Sequence, residues 1–460
     1  MTTNPTIASA PGGVPLLGHL PQLVRRPLET FQSLRAHGDV VILRLGRTPA
    51  YVVNHPDRIR QILVNDARKF DKGVQAEKAR FYVGEGLVTS GEPLHLRQRR
   101  RIQPAFHQAQ IARYAEIMRE GALETILSWR HGQAVPMNDE LFSLSLKVLT
   151  RTLFSTNFDA DVASEFTEAT SAFVDGLAVR IALPFEILEK LPIRSNRRFN
   201  AGRARMQAII EQIVAACRIR KTDPTDLLSL LVNTRDDDAG ASITDGQIHD
   251  EIMTMLIAGT ETTANTLSWT CHLLGQHPDI QARLQAEVHE VLGERPIGAG
   301  DLRRLTYTRQ VLAEVLRMYP AVWLLSRRPI TDVEIGAYRI PAGSHVLFCP
   351  YALHRDPELY PEPERFHPDR WLGEKTDSKD SAREAYIPFG AGMRGCIGEP
   401  YAWAQMMIFL STLVTSWRLR PAPGQIVRPV ARASLRPDQL SMIVEARGSE
   451  VERNSAQQHC

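Results

Sequence analysis

Hydrophobic and polar positions recur along most of the chain at the three- and four-residue spacing of amphipathic helices, and the longest such pattern runs from Thr244 to Gln276. No proline interrupts it, Thr244 and Gln247 have the spacing of a capping box, and His277-Pro278 supplies a stop. About 33 residues at 1.5 Å each predict a helix of roughly 50 Å, long enough to cross a whole domain. Ile248, Ile252, Met255, Leu256 and Gly259 fall on one stripe, which predicts a buried face. A glycine in mid-helix costs about 1 kcal/mol relative to alanine. Close approach of a ligand over Gly259 is the expected compensation.

Strand patterning is confined to short stretches. Val40 to Leu45 and Ala50 to Val53 read as paired strands around Gly46-Arg47-Thr48, and Tyr338-Arg339-Ile340 and Val346-Leu347-Phe348 as a second pair around Pro341-Ala342-Gly343. The expected fold class is therefore mainly α with a minor β-sheet region. At 460 residues and 43% hydrophobic content the chain can bury one large core. No glycine-serine linker, internal repeat or low-complexity run divides it. The expected organisation is a polar, disordered N-terminus at 1–10, a single large domain at 11–446 and a polar tail at 447–460.

Charge and cysteine usage narrow the class. A net charge of +3 is close to neutral for this length and gives no support to a nucleic-acid partner. Met1 to Ala10 is polar and contains nothing near the roughly 20 apolar residues of a membrane helix, so no membrane anchor is expected. Cys217, Cys271, Cys349, Cys396 and Cys460 lack CxxC or paired spacing, which fits free thiols in a reducing, cytoplasmic setting.

The chemistry concentrates in Phe389-Gly390-Ala391-Gly392-Met393-Arg394-Gly395-Cys396-Ile397-Gly398. A sulfur that ligates iron must be held as thiolate, which calls for positive potential and backbone N–H donors around it. Gly390, Gly392, Gly395 and Gly398 would let the chain loop tightly about one sulfur. Arg394 suits a haem propionate. The apolar stretch after Cys396, through Tyr401, Ala402, Trp403, Met406 and Met407, predicts a helix whose N-terminus faces that sulfur.

This decapeptide resembles the haem-ligand loop of the cytochrome P-450 superfamily, Phe-Gly-x-Gly-x-Arg-x-Cys-x-Gly, at every fixed position. The resemblance extends from about Pro11 to Ala446 and implies the family's single-domain fold, haem b (iron protoporphyrin IX) as cofactor and Cys396 as its thiolate ligand. Phe389, Gly390 and Gly398 would then line the haem. In the family the long helix passes over the distal face, so Ala258 and Gly259 would border the haem and leave room for O2. Thr262 would help deliver protons and Glu261 would be the adjacent acid of the relay. Taken alone, Thr262 reads as a hydroxyl bonded back to a helix carbonyl.

Other landmarks follow from the same resemblance. Glu314 and Arg317 stand one helical turn apart, and the family completes a buried triad with an arginine from a Pro-Glu-Arg-Phe segment, here Arg365 of Pro363-Glu364-Arg365-Phe366. This triad would be structural, holding the core behind the cysteine loop. His95, Arg99 and Arg327 would join Arg394 around the propionates, with Arg328 able to replace Arg327. Arg97, Arg100 and Arg101 read first as a solvated face; in the family that face receives an acidic electron donor. Too little chain follows Cys396 for a reductase domain, which implies ferredoxin and an NAD(P)H-dependent ferredoxin reductase as partners.

The family's substrate pocket would take Phe81, Tyr82, Val83, Phe173, Leu177, Val179, Ile181, Val322, Trp323 and Leu324, an apolar set that favours a hydrocarbon. Taken one by one, these side chains read equally as core lining. The runs 12–19, 95–107 and 320–328 are similar to bacterial terpene-pathway members, which implies a monooxygenase acting on unactivated or allylic C–H bonds of a cyclic sesquiterpene or other terpenoid. Fatty-acid, steroid and polyketide hydroxylases share the framework. A haem-thiolate peroxygenase, or a haem-based sensor or binding protein, is the alternative of another class.

Overall fold

Capping chemistry fixes the central helix. In the computed structural model, which describes residues 6–155, 160–182, 191, 193–219, 227–233, 243–373 and 381–447, it spans Asp245–Gln276. The Thr244 hydroxyl accepts the Gln247 N–H at 3.2 Å and the Gln247 side chain accepts the Thr244 N–H at 3.1 Å, closing the capping box. Ile252, Leu256, Leu267 and Trp269 are buried along it. Its neighbours include Met137–Leu153, Arg194–Ile219, Thr306–Met318 and Glu399–Ser416, so it is the axis around which the helical layer packs.

Gly259 has a different use from the one expected. A Cβ there would stand 2.7 Å from Cδ1 of Leu149 on Met137–Leu153. The close approach that offsets the glycine's helix cost is therefore that of a neighbouring helix, and a ligand is not needed to explain it.

The main sheet runs in the order Ala8–Ser9, Val40–Leu45, Thr48–Val53, His345–Phe348, Leu325–Pro329, Phe70–Lys72. Val40–Leu45 and Thr48–Val53 form the expected hairpin, joined by Gly46-Arg47, with Gly46 in the left-handed region at φ 64°. The second expected pair does not form. Tyr338–Ile340 instead pairs with Val333–Ile335 across Gly336, whose φ of 58° suits a tight turn, and His345–Phe348 inserts between Thr48–Val53 and Leu325–Pro329. A continuous ladder on both sides satisfies the His345–Phe348 backbone better than one short hairpin partner would.

The N-terminus also departs from expectation. Residues 6–10 are ordered: Ala8–Ser9 adds a parallel edge to Val40–Leu45, and Ala10 donates its N–H to Ile42 at 2.8 Å and is buried. Unpaired edge groups of the sheet are what hold it. Residues 1–5 and the tail beyond residue 447 lie outside the described residues. Among the described residues, no helix is long and apolar enough to cross a membrane.

Candidate active site

Cys396 sits at the end of a loop whose turns are set by two glycines. Gly390 and Gly392 both adopt φ 69°, and a Cβ on Gly392 would fall on the Leu63 carbonyl. Gly395 and Gly398 have ordinary negative φ, so their backbone angles do not require glycine. The Cys396 N–H donates to the Phe389 carbonyl at 2.8 Å. Gly398 caps the helix Glu399–Ser416, and the N–H groups of Gly398 and Glu399 donate to the sulfur. The residue is open on one side, while protein around the sulfur pushes its thiol up to about 11. Those two N–H donors oppose the shift without cancelling it. A cation in direct contact would be needed to keep this sulfur a thiolate at neutral pH.

Cations converge beside the loop from separate elements. Arg394 donates to the Ser90 carbonyl at 3.0 Å and contacts Asp71 at 3.2 Å and Glu92 at 3.4 Å. Arg99 donates to the Gly395 carbonyl at 2.8 Å. His95 is buried against Glu92 at 2.9 Å, and burial followed by the Arg394 charge holds its imidazole down at about 4. Arg327 is buried, and Arg328 turns away to pair with Glu77 at 2.6 Å.

Lys72 was not visible as a site residue. It lies opposite Arg327 in the antiparallel pair Phe70–Lys72 with Leu325–Pro329, a placement that is destabilising for like charges. Burial, then Arg327 and Arg394, bring its ammonium down to about 7; burial and Arg394 bring Arg327 to about 10. Arg394 thus meets both Asp71 and Glu92, Lys72 and Arg327 share the field of Asp71, and Arg99 adds a further charge beside Lys72. This surplus of largely buried positive charge fits a dianionic group, such as the two propionates a haem would bring.

Behind the loop, Glu314 is fully buried and saturated. Arg317 donates Nε and Nη2 to its two oxygens at 2.9 Å each, the His367 N–H adds 3.1 Å, Arg370 Nε 3.2 Å and Trp371 Nε1 3.0 Å. The second cation is thus Arg370, in place of the expected Arg365. Arg365 is exposed and pairs with Glu362 at 3.1 Å. The turn Pro368–Trp371 explains the difference, because it delivers Arg370 and Trp371 together to one carboxylate. His354 completes the cluster: its carbonyl accepts from Arg317 at 2.8 Å and its Nε2 accepts the Ile387 N–H at 3.1 Å.

On the opposite side, Ala258 is exposed at mid-helix, and the Thr262 hydroxyl donates to the Ala258 carbonyl at 2.7 Å. Glu261 is buried and turned toward Ser434, whose hydroxyl donates to it at 2.7 Å. The loop over this region is clasped by the long helix: Asp250 accepts the Glu85 N–H at 2.8 Å and Glu251 the Leu87 N–H at 3.0 Å. Val88, next along, is 46% exposed.

Several of the expected pocket residues are packed against neighbouring elements. Phe173 is fully buried and stacked on Phe199 at 5.1 Å, and Leu177 lies in the same core. Tyr82 meets Phe199 edge-on at 5.4 Å, and Val83 is buried in that core too. Phe81 is 75% exposed. Trp323 packs on Phe31 and donates to the Arg432 carbonyl at 2.9 Å, and Leu324 joins that second cluster. These side chains close helix and sheet contacts. Val322 is partly exposed, and the side chains of Val179 and Ile181 lie outside the described residues. On Leu94–Ile102, Arg97 and Arg100 are exposed, whereas Arg101 is half-buried and its charge acts on Glu251.

A mainly helical domain that presents one cysteine at a helix N-terminus beneath a nest of arginines suits a haem-thiolate oxygenase. The cytochrome P-450 family model matches residues 9–443, and the chain belongs to that family of monooxygenases, which use O2 and electrons from a redox partner. It is 42% identical to cyclooctatin synthase of Streptomyces melanosporofaciens over 95% of both chains. It is also 42% identical to cyclooctat-9-en-7-ol 5-monooxygenase of the same organism over 96% of both. Pentalenene oxygenase of Streptomyces avermitilis is 40% identical over 95% of this chain and 97% of its own.

Two outcomes follow for the Glu314 cluster. Arg370→Ala should destabilise the protein by about 3 kcal/mol or more in urea denaturation, because it strips a cation from a buried carboxylate, whereas Arg365→Ala should stay within about 0.5 kcal/mol. The reverse order would restore Arg365 to the cluster. Burial and then the Arg317 charge hold His354 at about 3, below the ordinary 6.5. The unfolded chain therefore takes up a proton that the native state refuses. Stability should be full above pH 6.5 and decline as pH falls toward 3. His354→Gln should flatten that decline, and an unchanged slope would remove His354 from the account.

Proposed function

We propose that Cys396 is the axial ligand of a haem b, and that the enzyme hydroxylates an unactivated or allylic C–H bond of a cyclic terpenoid with electrons from a ferredoxin and its NAD(P)H-dependent reductase. The observation that carries this reading is the joint placement of a helix-N-terminal cysteine and a surplus of cations suited to two carboxylates. Haem bound there would supply the activation of dioxygen. The names of the relatives, which refer to cyclooctat-9-en-7-ol and pentalenene, support a terpenoid substrate.

The chain's own residues have separable tasks. Gly398 and Glu399 orient N–H donors at the sulfur and so favour its anionic form. Arg394, Arg327, Arg99 and Lys72 would neutralise the propionates of a bound haem, and His95, kept neutral, could share a hydrogen bond with them. Thr262 holds a proton at Oγ1 beside the exposed Ala258, and burial raises the proton affinity of the adjacent Glu261. Exposed Arg97 and Arg100 support docking of an acidic electron donor, and the buried thiols of Cys271 and Cys349 agree with a reducing, cytoplasmic setting.

Spectroscopy tests the assignment directly. Reduced protein under carbon monoxide should give the strongly red-shifted Soret band of thiolate ligation, and Cys396→Ser should lose it; persistence of the band in that variant would refute the ligand. Titrating the ferric protein with cyclic terpenes, fatty acids and steroids should give a saturable low-to-high-spin shift with cyclic terpenes. A shift with another class alone would discard the terpenoid substrate while leaving the monooxygenase in place.

A further inference from the structure

Glu261 is reached by a side-chain relay from the C-terminal hairpin. Ser434 lies between the strands Pro429–Ala431 and Leu435–Pro437 and is 2% exposed. Its hydroxyl lies 2.7 Å from Glu261 Oε1 and 2.6 Å from Asn265 Nδ2. Asn265 stands one helical turn beyond Glu261, on the same face.

The donor inventory fixes the direction of this chain of bonds. An amide NH2 group can only donate, so Asn265 occupies a lone pair of the serine oxygen and the single serine proton is left for Glu261. Oε1 of Glu261 is then an acceptor, and a proton carried by the carboxyl resides on Oε2. The hairpin's own geometry does not call for the hydroxyl: its strands pair through the backbone, and the turn closes from the Arg432 N–H to the Ser434 carbonyl at 3.1 Å. Burial raises the proton affinity of Glu261 and the Ser434 bond opposes it. Two further charges face the carboxyl. Arg436 comes from the hairpin and Asp175 from the helix Ala160–Ala182, paired with each other at 2.9 Å.

We propose that Ser434 is a positioning residue for proton delivery: fixed by Asn265, its hydroxyl aims the Glu261 carboxyl so that Oε2 releases a proton toward the Thr262 side of the helix. In that step the O–H bond at Oε2 breaks, an O–H bond forms at a water on the Thr262 side, which gives up one of its own protons in turn, and the carboxylate is reprotonated from solvent. No electron is transferred. The proposal rests on the relay reading of Glu261 and Thr262 given above, and extends it to a residue far along the chain.

The test compares Ser434→Ala, Ser434→Thr and Asn265→Ala in the haem-loaded full chain. The Glu261 carboxylic-acid band is first assigned in infrared difference spectra by its loss in Glu261→Gln. Ser434→Ala should move that band to higher frequency and its titration to higher pH. Product formed per NAD(P)H consumed should fall on the order of tenfold, the worth of one hydrogen bond to a charged group. The substrate-induced spin shift should be unchanged. Ser434→Thr should restore both band and coupling. Asn265→Ala should shift both in the same direction by less, and it serves should Ser434→Ala fail to fold. An unmoved band, or full coupling despite a moved band, would overturn the proposal. Failure of the haem-thiolate reading would be recognised separately, by a missing red-shifted Soret band in the unmutated protein.

Discussion

Surplus positive charge beside the cysteine loop is the constraint on which the site depends. Lys72 comes from a sheet edge, Arg99 from a helix, Arg327 from the neighbouring strand and Arg394 from the loop itself. Taking a charge out of water costs several kcal/mol unless it is paired, and Lys72 and Arg327 face each other across the ladder with their proton affinities depressed. Such an arrangement is stable in company with an anion of matching shape. Two propionates on a flat apolar ring would meet that description, and would tie the sheet to the helical layer through one ligand.

The buried carboxylate on the other side of the loop is the complementary device. Glu314 is an anion saturated by donors from Arg317, Arg370, Trp371 and the His367 backbone. Its charge is satisfied within the protein, so this cluster holds its shape whatever occupies the haem site. The cysteine loop is thus braced behind by a closed network and bounded in front by an open one. Gly392, which has no room for a Cβ against Leu63, sets the loop's position between them.

Features encoded within a few consecutive residues were legible in the sequence. The cysteine loop is one, since its turns at Gly390 and Gly392 and the N–H donors of Gly398 and Glu399 lie within a few residues of Cys396. The capping box of the long helix is another. Pairings decided by chain reversal were not. Two similar segments, Pro363-Glu364-Arg365-Phe366 and Pro368-Asp369-Arg370-Trp371, follow each other within a few residues, and only the three-dimensional turn chooses which arginine reaches Glu314. Gly259 looked like a ligand contact because its cost is visible in sequence, while Leu149, which accounts for it, is more than a hundred residues away. Phe173 and Trp323 had the right chemistry for a pocket and equally the right chemistry for a core. Lys72 and Ser434 carry no motif at all; their roles come from facing Arg327 and Glu261.

A cation surplus matched to two carboxylates should discriminate between a charged and an esterified haem. That discrimination is tested most directly by reconstituting haem-free protein with haem and with its dimethyl ester, and comparing affinity and thermal stabilisation. The account predicts tight binding and a large rise in Tm with haem, and much weaker effects with the ester, whose ring and iron are the same but whose propionates carry no charge. Equal binding and stabilisation by the two would contradict it, and would leave the arginines and Lys72 without the anion that explains them.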